Sequence, residues 1–188
     1  MEEIKQFLIQ SFDKYIRRNN LITRITDYIP ITDIRLNLNI NIYKQEEKFI
    51  VENLFIDFCV DGSWVPWNYL SDGTKRLLYL IIQTVFVEKG ILLVEEPELG
   101  IHPIQLYKLL DYLQKKALTN QVIISTHSPL VLDMLTPENL NSISIAKMSK
   151  SGSKFFKLTK QKIQKAQQYI TEIGDLSHFW LHSDLEDD

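Results

Sequence analysis

The sequence has little cysteine, no long hydrophobic run and no excess of positive charge. Its single thiol, Cys59, cannot form an internal disulfide, which favours a reducing, cytoplasmic setting and a role as a small core residue of a strand. The most apolar stretch, 77–87, is too short and too polar at its end to span a membrane, so it predicts a buried helix. We expect neither a signal peptide nor a membrane partner, because the first residues are acidic and then amphipathic.

Acidic residues outnumber basic ones: 24 Asp and Glu against 21 Lys and Arg give a net charge of −3. This balance excludes the global basic field of many nucleic-acid-binding proteins, although it leaves local basic patches open. Internal repeats and low-complexity tracts are lacking as well. The composition, 45 % hydrophobic and 24 % charged, is that of one globular domain over 1–188. Its acidic end, 183–188, is expected to fray.

The first part of the chain, 1–69, is predicted to form a helix and an antiparallel hairpin. Apolar residues recur at helical spacing across 2–18, which predicts a helix with one apolar face. Residues 33–43 alternate apolar and polar side chains, as a half-exposed strand does. A second strand is predicted over 49–60, with a bulge near 52–53 where the alternation changes phase.

Alternating helices and strands are predicted over 70–148, which implies a parallel sheet covered by helices. Helices are predicted over 74–89, 103–118 and 129–135, and strands over 91–96 and 121–126. The first of these strands is continuously apolar, as central parallel strands buried on both faces are. The remainder, completed by 149–188, is predicted to hold strands near 141–147 and 154–158, a helix near 160–172 and the acidic tail.

Two adjacent carboxylates, Glu95 and Glu96, end the apolar strand ILLVEE. An unpaired buried carboxylate is costly, so the pair needs a positive partner. A Mg²⁺-nucleotide site uses such a pair: one carboxylate holds the ion and the next polarises the attacking water. Ligands of open α/β sheets also bind at the carboxyl ends of strands. The alternative is a salt-bridged strand end, and this motif alone leaves both open.

Two further motifs flank the acids in sequence. In LSDGTKR, Ser71 suits a helix cap and Gly73 allows a close backbone approach, and a helix amino terminus suits a phosphate. In IISTHSP, His127 follows an apolar strand and could donate to a phosphate or a water. The alternatives are an ordinary capped helix and a loop histidine bonded to a carbonyl.

The spacing of the three motifs bears on where they meet. One helix and one strand separate Ser71 from Glu96, and the same separates Glu96 from His127. Successive α–β units should therefore bring Glu96 and His127 to one edge of the sheet. Ser71 starts a helix and is expected at the opposite end. That mismatch indicates a site shared between two subunits.

Taken in order, LSDGT, ILLVEEPELGIHP and IISTHSP resemble the carboxyl-terminal half of ABC-type ATPase head domains, across roughly 33–148. The nearest group is the stand-alone SMC/RecF/OLD-like ATPases, which are grouped with AAA ATPases. The resemblance implies an α/β, P-loop NTPase-like fold with ATP and Mg²⁺ as cofactors. It also implies a homo- or heterodimer that forms through the signature face.

The resemblance assigns roles residue by residue. LSDGT resembles the ABC signature, which implies ATP-binding residues that meet the nucleotide of the partner subunit: Ser71, Asp72, Gly73 and Thr74. Of these, Ser71 and Gly73 would contact the γ-phosphate, while Asp72 departs from the commoner LSGGQ by replacing its first glycine. ILLVEE resembles Walker B, with Glu96 as the catalytic glutamate. Glu95 replaces the usual Mg²⁺-associated aspartate and is one methylene longer.

Two histidines complete the assignment. ELGIH falls at the D-loop, with His102 where transporter-type relatives have aspartate, and STH resembles the switch motif, with His127 sensing the γ-phosphate. The chain contains no G-x-x-x-x-G-K-[ST] phosphate-binding loop. The nearest string, SKSGSK at 149–154, is interpreted as a hairpin turn. The family's P-loop lies upstream of the signature, so this sequence is expected to begin after it.

Three hypotheses follow from the missing loop. The chain is half of an ATPase, inactive alone and completed by a P-loop-bearing segment or subunit, because phosphoryl transfer needs a phosphate cradle and lysine. Alternatively, it is a non-catalytic module that dimerises or binds a partner through the signature surface. A third hypothesis, nucleic-acid association, rests on the SMC/RecF resemblance and on Lys160, Lys162 and Lys165, whose spacing equally fits a solvated helix face.

Overall fold

The computed structural model describes residues 1–18 and 20–182, so the acidic tail at 183–188 lies outside the described residues. The chain divides into two compact units. The first consists of Met1–Leu92 and Leu99–Val122, and the second of Leu93–Glu98 and Ile123–Asp188. Among the described residues, no helix is both long and apolar enough to cross a membrane.

The first unit opens with two helices and five short strands. The helices are α1 (Glu2–Arg18) and α2 (Leu21–Ile25), and the strands are β1 (Asp33–Leu36), β2 (Asn41–Gln45), β3 (Lys48–Glu52), β4 (Ile56–Val60) and β5 (Ser63–Pro66). The helix predicted over 2–18 is confirmed. The strands form an antiparallel sheet in the order β1-β4-β5 and a separate β2-β3 hairpin.

The two long strands predicted over 33–43 and 49–60 are wrong, because each breaks into two. The side chain of Asn37 explains the first break: its Nδ2 donates to Asp57 Oδ1 at 2.9 Å, and its Oδ1 accepts from Asn39 N at 2.7 Å. Such side-chain bonds to the local backbone replace the strand ladder with a turn. The second break occurs where Asn53 takes a φ of 57°, so the predicted bulge is a full interruption.

Strand β5 and the environment of Cys59 also differ from the predictions. Strand β5 is not predicted by the sequence: Asp61 and Gly62 form a two-residue turn with φ of 49° and 75°, and β5 then pairs with β4. Positive φ at both positions is the geometry of a tight hairpin. Cys59 lies on β4 and is half-buried, so its prediction as a core residue is wrong.

Helices α3 (Asp72–Val85) and α4 (Pro103–Ala117) carry a large part of the core of the first unit. Their inward faces supply six nearly inaccessible leucines and isoleucines: Leu77, Leu78, Ile81, Leu109, Leu110 and Leu113. The Tyr112 hydroxyl shares a 2.8 Å hydrogen bond with Thr84 Oγ1, and burial raises the pKa of this tyrosine. The helix predicted over 103–118 is confirmed.

Helix α3 begins two residues earlier and ends four residues earlier than predicted. Lys116 explains the early end, because its Nζ donates to the carbonyl oxygens of Val85 and Val87, both at 2.9 Å. These bonds satisfy backbone acceptors that a helix end leaves open. Burial lowers the pKa of Lys116, with a further contribution from the charge of Arg24.

Gly73, in the first turn of α3, packs against the loop that precedes α4. A β-carbon at Gly73 would lie 2.5 Å from the carbonyl oxygen of Gly100. Real β-carbons do not approach a backbone oxygen so closely, so any side chain at this position displaces one of the two segments. The helix start and the loop therefore form one packed corner of the first unit.

Strands β6 (Ile91–Glu95) and β7 (Gln121–Ser125) form a two-stranded sheet. Gln121 N donates to Gly90 O at one end, and Glu96 N donates to Ser125 O at the other, so the strands are parallel. The prediction that the first strand is buried on both faces is wrong. Leu92 and Val94 are buried, but Leu93 is 75 % exposed.

The second unit continues with two 3₁₀ turns, a hairpin and two helices. They are Pro129–Met134, Pro137–Ser142, β8 (Ser144–Ser149), β9 (Gly152–Lys157), α5 (Lys160–Glu172) and α6 (Leu176–His182). Between β8 and β9 the chain turns within SKSGSK, which confirms the hairpin prediction. Helix α6 is not predicted by the sequence. Its second residue, Ser177, donates its backbone N–H to Asp133 Oδ1 at 2.7 Å.

We predict that Gly73→Ala destabilises the chain by about 1–3 kcal/mol, the usual cost of overpacking. Equilibrium urea unfolding measures the change. Gly174→Ala is the matched control, because a β-carbon at Gly174 meets no atom within 4 Å. Equal stability of the two variants would contradict the packed corner.

Candidate functional site

The paired acids lie where β6 ends. Glu95 is the last residue of the strand and is exposed, whereas the Glu96 side chain is 31 % exposed. Glu96 has a φ of 43°, in the left-handed region that costs a non-glycine residue roughly 1 kcal/mol. Its backbone N–H nevertheless extends the strand pairing by donating to Ser125 O at 2.8 Å. Strained residues of this kind cluster at functional sites.

His127 reaches the same strand ends, as the spacing of the motifs predicts. Its Nε2 lies 3.8 Å from Glu96 Oε1, which confirms that the two side chains meet. The distance is too long for a hydrogen bond, and the imidazole is 92 % exposed. The ring therefore faces solvent beside the carboxylate, accessible to a ligand.

Glu98 is a residue of this site that the sequence analysis missed. Its Oε1 accepts three hydrogen bonds from the loop after β7: from Thr126 Oγ1 at 2.6 Å, His127 N at 3.2 Å and Ser128 N at 3.2 Å. Its Oε2 is hidden from solvent, with no hydrogen-bond partner among the described residues. The sequence EEPE does contain this third acid: Glu98 follows the pair Glu95 and Glu96, separated from it by Pro97.

The signature residues lie in the first unit, at the start of α3. Ser71 is the helix cap, as predicted: its Oγ accepts from Thr74 N at 3.2 Å and shares a 2.9 Å bond with Thr74 Oγ1. Thr74 is buried, while the Asp72 side chain is fully exposed and 3.3 Å from Lys75 Nζ. Only Ser71 and Asp72 thus present side chains outward, while Gly73 faces Gly100.

His102 caps the next helix. Its Nδ1 accepts from Ile104 N at 3.3 Å, and Pro103 occupies the first helical position. This hydrogen bond requires an unprotonated Nδ1, which places the ring proton of the neutral imidazole on Nε2. His102 belongs to the first unit with the signature residues, whereas Glu95, Glu96 and His127 belong to the second.

The acid pair is a suitable donor set for Mg²⁺. Within the described residues, no group of three or more His, Cys, Asp or Glu side chains converges as a metal cage. Mg²⁺ in nucleotide sites takes one or two carboxylates, and its other ligands are waters and phosphate oxygens. The two carboxylates at the end of β6 match that requirement in type and number.

Comparison of the fold with solved structures supports the resemblance noted above. A chain described under "Structural biochemistry of ATP-driven dimerization and DNA stimulated activation of SMC ATPases" superposes with a TM-score of 0.57. The alignment covers 89 % of this chain and 98 % of the other, at 17 % sequence identity. The protein thus has a mixed α/β fold similar to that of an SMC ATPase.

Comparison of the sequence identifies the family. No curated protein matches the sequence at a significant level. The sequence pattern of the family described as "AAA domain, putative AbiEii toxin, Type IV TA system" matches residues 7–133, which is more than half of the chain. The matched range includes all three motifs. The chain therefore belongs to this family of AAA-type ATPase domains.

Proposed function

We propose that the chain is the carboxyl-terminal part of an ABC-type ATPase, a partial head domain that is inactive alone. Combined with a P-loop-bearing segment or subunit, it binds and hydrolyses ATP at a site shared between two subunits. The observation that carries this proposal is the end of β6, where Glu96 has a left-handed backbone and its carboxylate lies 3.8 Å from His127 Nε2. Such strain persists only where the surrounding structure enforces it.

Each side chain has a defined task in this proposal. Bound Mg²⁺ would neutralise negative charge on the phosphates. Glu95, exposed at the strand end, supplies a carboxylate oxygen toward the ion. Glu96 orients the attacking water and accepts its proton, and His127 reaches the γ-phosphate with its exposed ring.

The start of α3 supports a shared site. Ser71 and Asp72 are exposed, and a helix amino terminus is a favourable place for an anion. The Ser71 hydroxyl caps its own helix, so it holds the first turn in shape. The solved chain with the similar fold is described with ATP-driven dimerization, and its fold is covered almost completely by this chain.

Exposed apolar side chains support a missing P-loop-bearing segment. In the second unit, Leu93 and Ile123 lie on β6 and β7 and are 75 % and 49 % exposed. In the first unit, Phe7 and Tyr15 on α1 are similarly exposed. Apolar surface of this kind marks interaction sites in soluble proteins. The P-loop-bearing segment is the proposed occupant of both surfaces.

The alternative is a non-catalytic interaction or dimerisation module that has the fold of such an ATPase but not its activity. The chemistry at position 96 argues against it, because an asparagine or glycine would adopt the left-handed backbone with less strain. A role in catalysis gives a physical reason for a carboxylate at this position beside His127. The two experiments below separate the alternatives.

We predict that the isolated 188-residue chain binds no Mg²⁺-ATP at millimolar nucleotide in a calorimetric titration. The reason is that the sequence encodes neither a P-loop cradle nor its lysine. Adding a co-purified P-loop-bearing partner should restore binding. Micromolar affinity of the isolated chain would contradict the proposal, since a complete phosphate site would then lie within these residues.

We predict that Glu96→Gln, in the assembly with the P-loop-bearing partner, lowers kcat at least about a hundredfold and leaves ATP bound. An amide still orients water but accepts no proton, so the ATP-bound dimer should accumulate on size-exclusion chromatography. Glu88→Gln is the control, because this exposed acid follows α3, away from the strand end. Unchanged turnover in Glu96→Gln would remove the residue from its proposed role.

A second candidate function, nucleic-acid association, is favoured by one observation. Between 144 and 171 the sequence holds seven lysines and no acid: Lys147, Lys150, Lys154, Lys157, Lys160, Lys162 and Lys165. On the β8-β9 hairpin, Met148 and Phe155 are more than three-quarters exposed. Proteins bind single-stranded nucleic acid with basic side chains that follow its phosphate backbone and with exposed aromatic rings on which the bases stack. The solved chain of similar fold is described with DNA stimulated activation.

We predict that the chain retains a fluorescent single-stranded oligonucleotide at low ionic strength and loses it steeply as salt rises, because released counterions drive such binding. Fluorescence anisotropy measures the affinity. Lys154→Gln with Lys157→Gln should weaken it and flatten the salt dependence, whereas Lys14→Gln on α1 should not. A lack of retention at the lowest salt concentration would exclude this candidate.

A further inference from the structure

The carboxylate of Glu98 joins two segments of the second unit beyond the end of the strand pair. The last backbone bond of that pair runs from Glu96 N to Ser125 O. Glu98 Oε1 then accepts from Thr126 Oγ1, His127 N and Ser128 N, so the connection continues past both strand ends. Hydrogen bonds to an ionised acceptor are roughly twice as strong as neutral ones.

The loop after β7 also has bonds of its own, but they serve a different purpose. Ser128 N donates to Thr126 Oγ1 at 2.9 Å, which shapes the turn locally. This bond joins residues of the same loop and does not fix the loop relative to Glu96. The Glu98 bonds do fix it, because Glu98 follows Glu96 by two residues with the buried Pro97 between them.

Within the part of the chain that the structure describes, no hydrogen bond holds the imidazole of His127. The ring is 92 % exposed, and its Nε2 is 3.8 Å from Glu96 Oε1, beyond hydrogen-bond distance. The position of the backbone of residue 127 therefore sets which rotamers bring the ring near the Glu96 carboxylate. The structure shows that the backbone N–H of this residue is bound by Glu98.

We propose that Glu98 is a positioning residue that clamps the loop 126–128 to the end of β6, so that His127 faces Glu96. It acts through the loop and not on nucleotide. The proposal rests on the proposed function, because His127 and Glu96 have their roles in that reaction. Oε1 makes all three bonds, so a neutral amide oxygen at the same place should preserve part of the clamp, with weaker bonds because it carries no charge.

The first test is amide hydrogen exchange followed by NMR on the 188-residue chain without nucleotide. In Glu98→Ala, the amide of His127 should exchange at least about tenfold faster, since its acceptor is gone. The amide of Ser128 should change less, because it also donates to Thr126 Oγ1. Glu98→Gln should restore part of the protection, because its amide oxygen still accepts but carries no charge. Glu172→Ala is the matched control, because it removes an exposed acid from α5 of the same unit.

The second test asks whether the clamp sets the approach of His127 to Glu96. In the wild-type background at one fixed pH, Glu96→Gln should move the imidazole resonances of His127. In a Glu98→Ala background the same substitution should leave them nearly unmoved. A purely structural role would not produce this loss, because a folded chain would keep the response.

The outcomes of the two tests are separable. If Glu98→Ala does not fold, Thr126→Val replaces it, because that variant removes one of the three donors and should produce a smaller change in the same direction at the His127 amide. The Ser128 amide is left out of this comparison, because it also donates to Thr126 Oγ1. Unchanged exchange and an unchanged response to Glu96→Gln would overturn the proposal. Neither readout involves ATP, so failure of the proposed ATPase activity leaves the clamp intact, and failure of the clamp leaves the ATPase proposal intact.

Discussion

The parallel pairing of β6 with β7 is the interaction on which the candidate site depends. Parallel strands end at the same edge of a sheet, so residues that follow them are brought together without any long-range side-chain contact. Here the pairing continues one residue past β6 through Glu96 N and Ser125 O. The acid pair and the histidine loop are consequences of that register. A slip of the pairing would separate them.

The sequence predicted the parts of the fold whose local signals agree. Helix α4 begins at a proline after a capping side chain and carries a regular apolar face, so its bounds were found almost to the residue. The meeting of Glu96 with His127 followed from counting α–β units. Neither prediction needed knowledge of distant contacts.

The errors arose where distant residues decide the outcome. Asn37 breaks a strand because Asp57, on another strand, accepts from its amide. Helix α6 depends on Asp133, which lies far from it in sequence. Glu98 was not singled out from the sequence because its three donors follow the next strand. The exposure of Leu93 was missed for another reason, since an apolar sequence does not reveal what covers it.

The left-handed backbone at Glu96 sets a trade-off at a single residue. Glycine or asparagine would relax this backbone, and both are accessible to a chain that is selected only for stability. Glutamate keeps the carboxylate beside His127 and accepts the strain. Backbone strain and the carboxylate chemistry proposed above therefore favour different residues at this position, so a substitution that stabilises the fold here is expected to remove the proposed function.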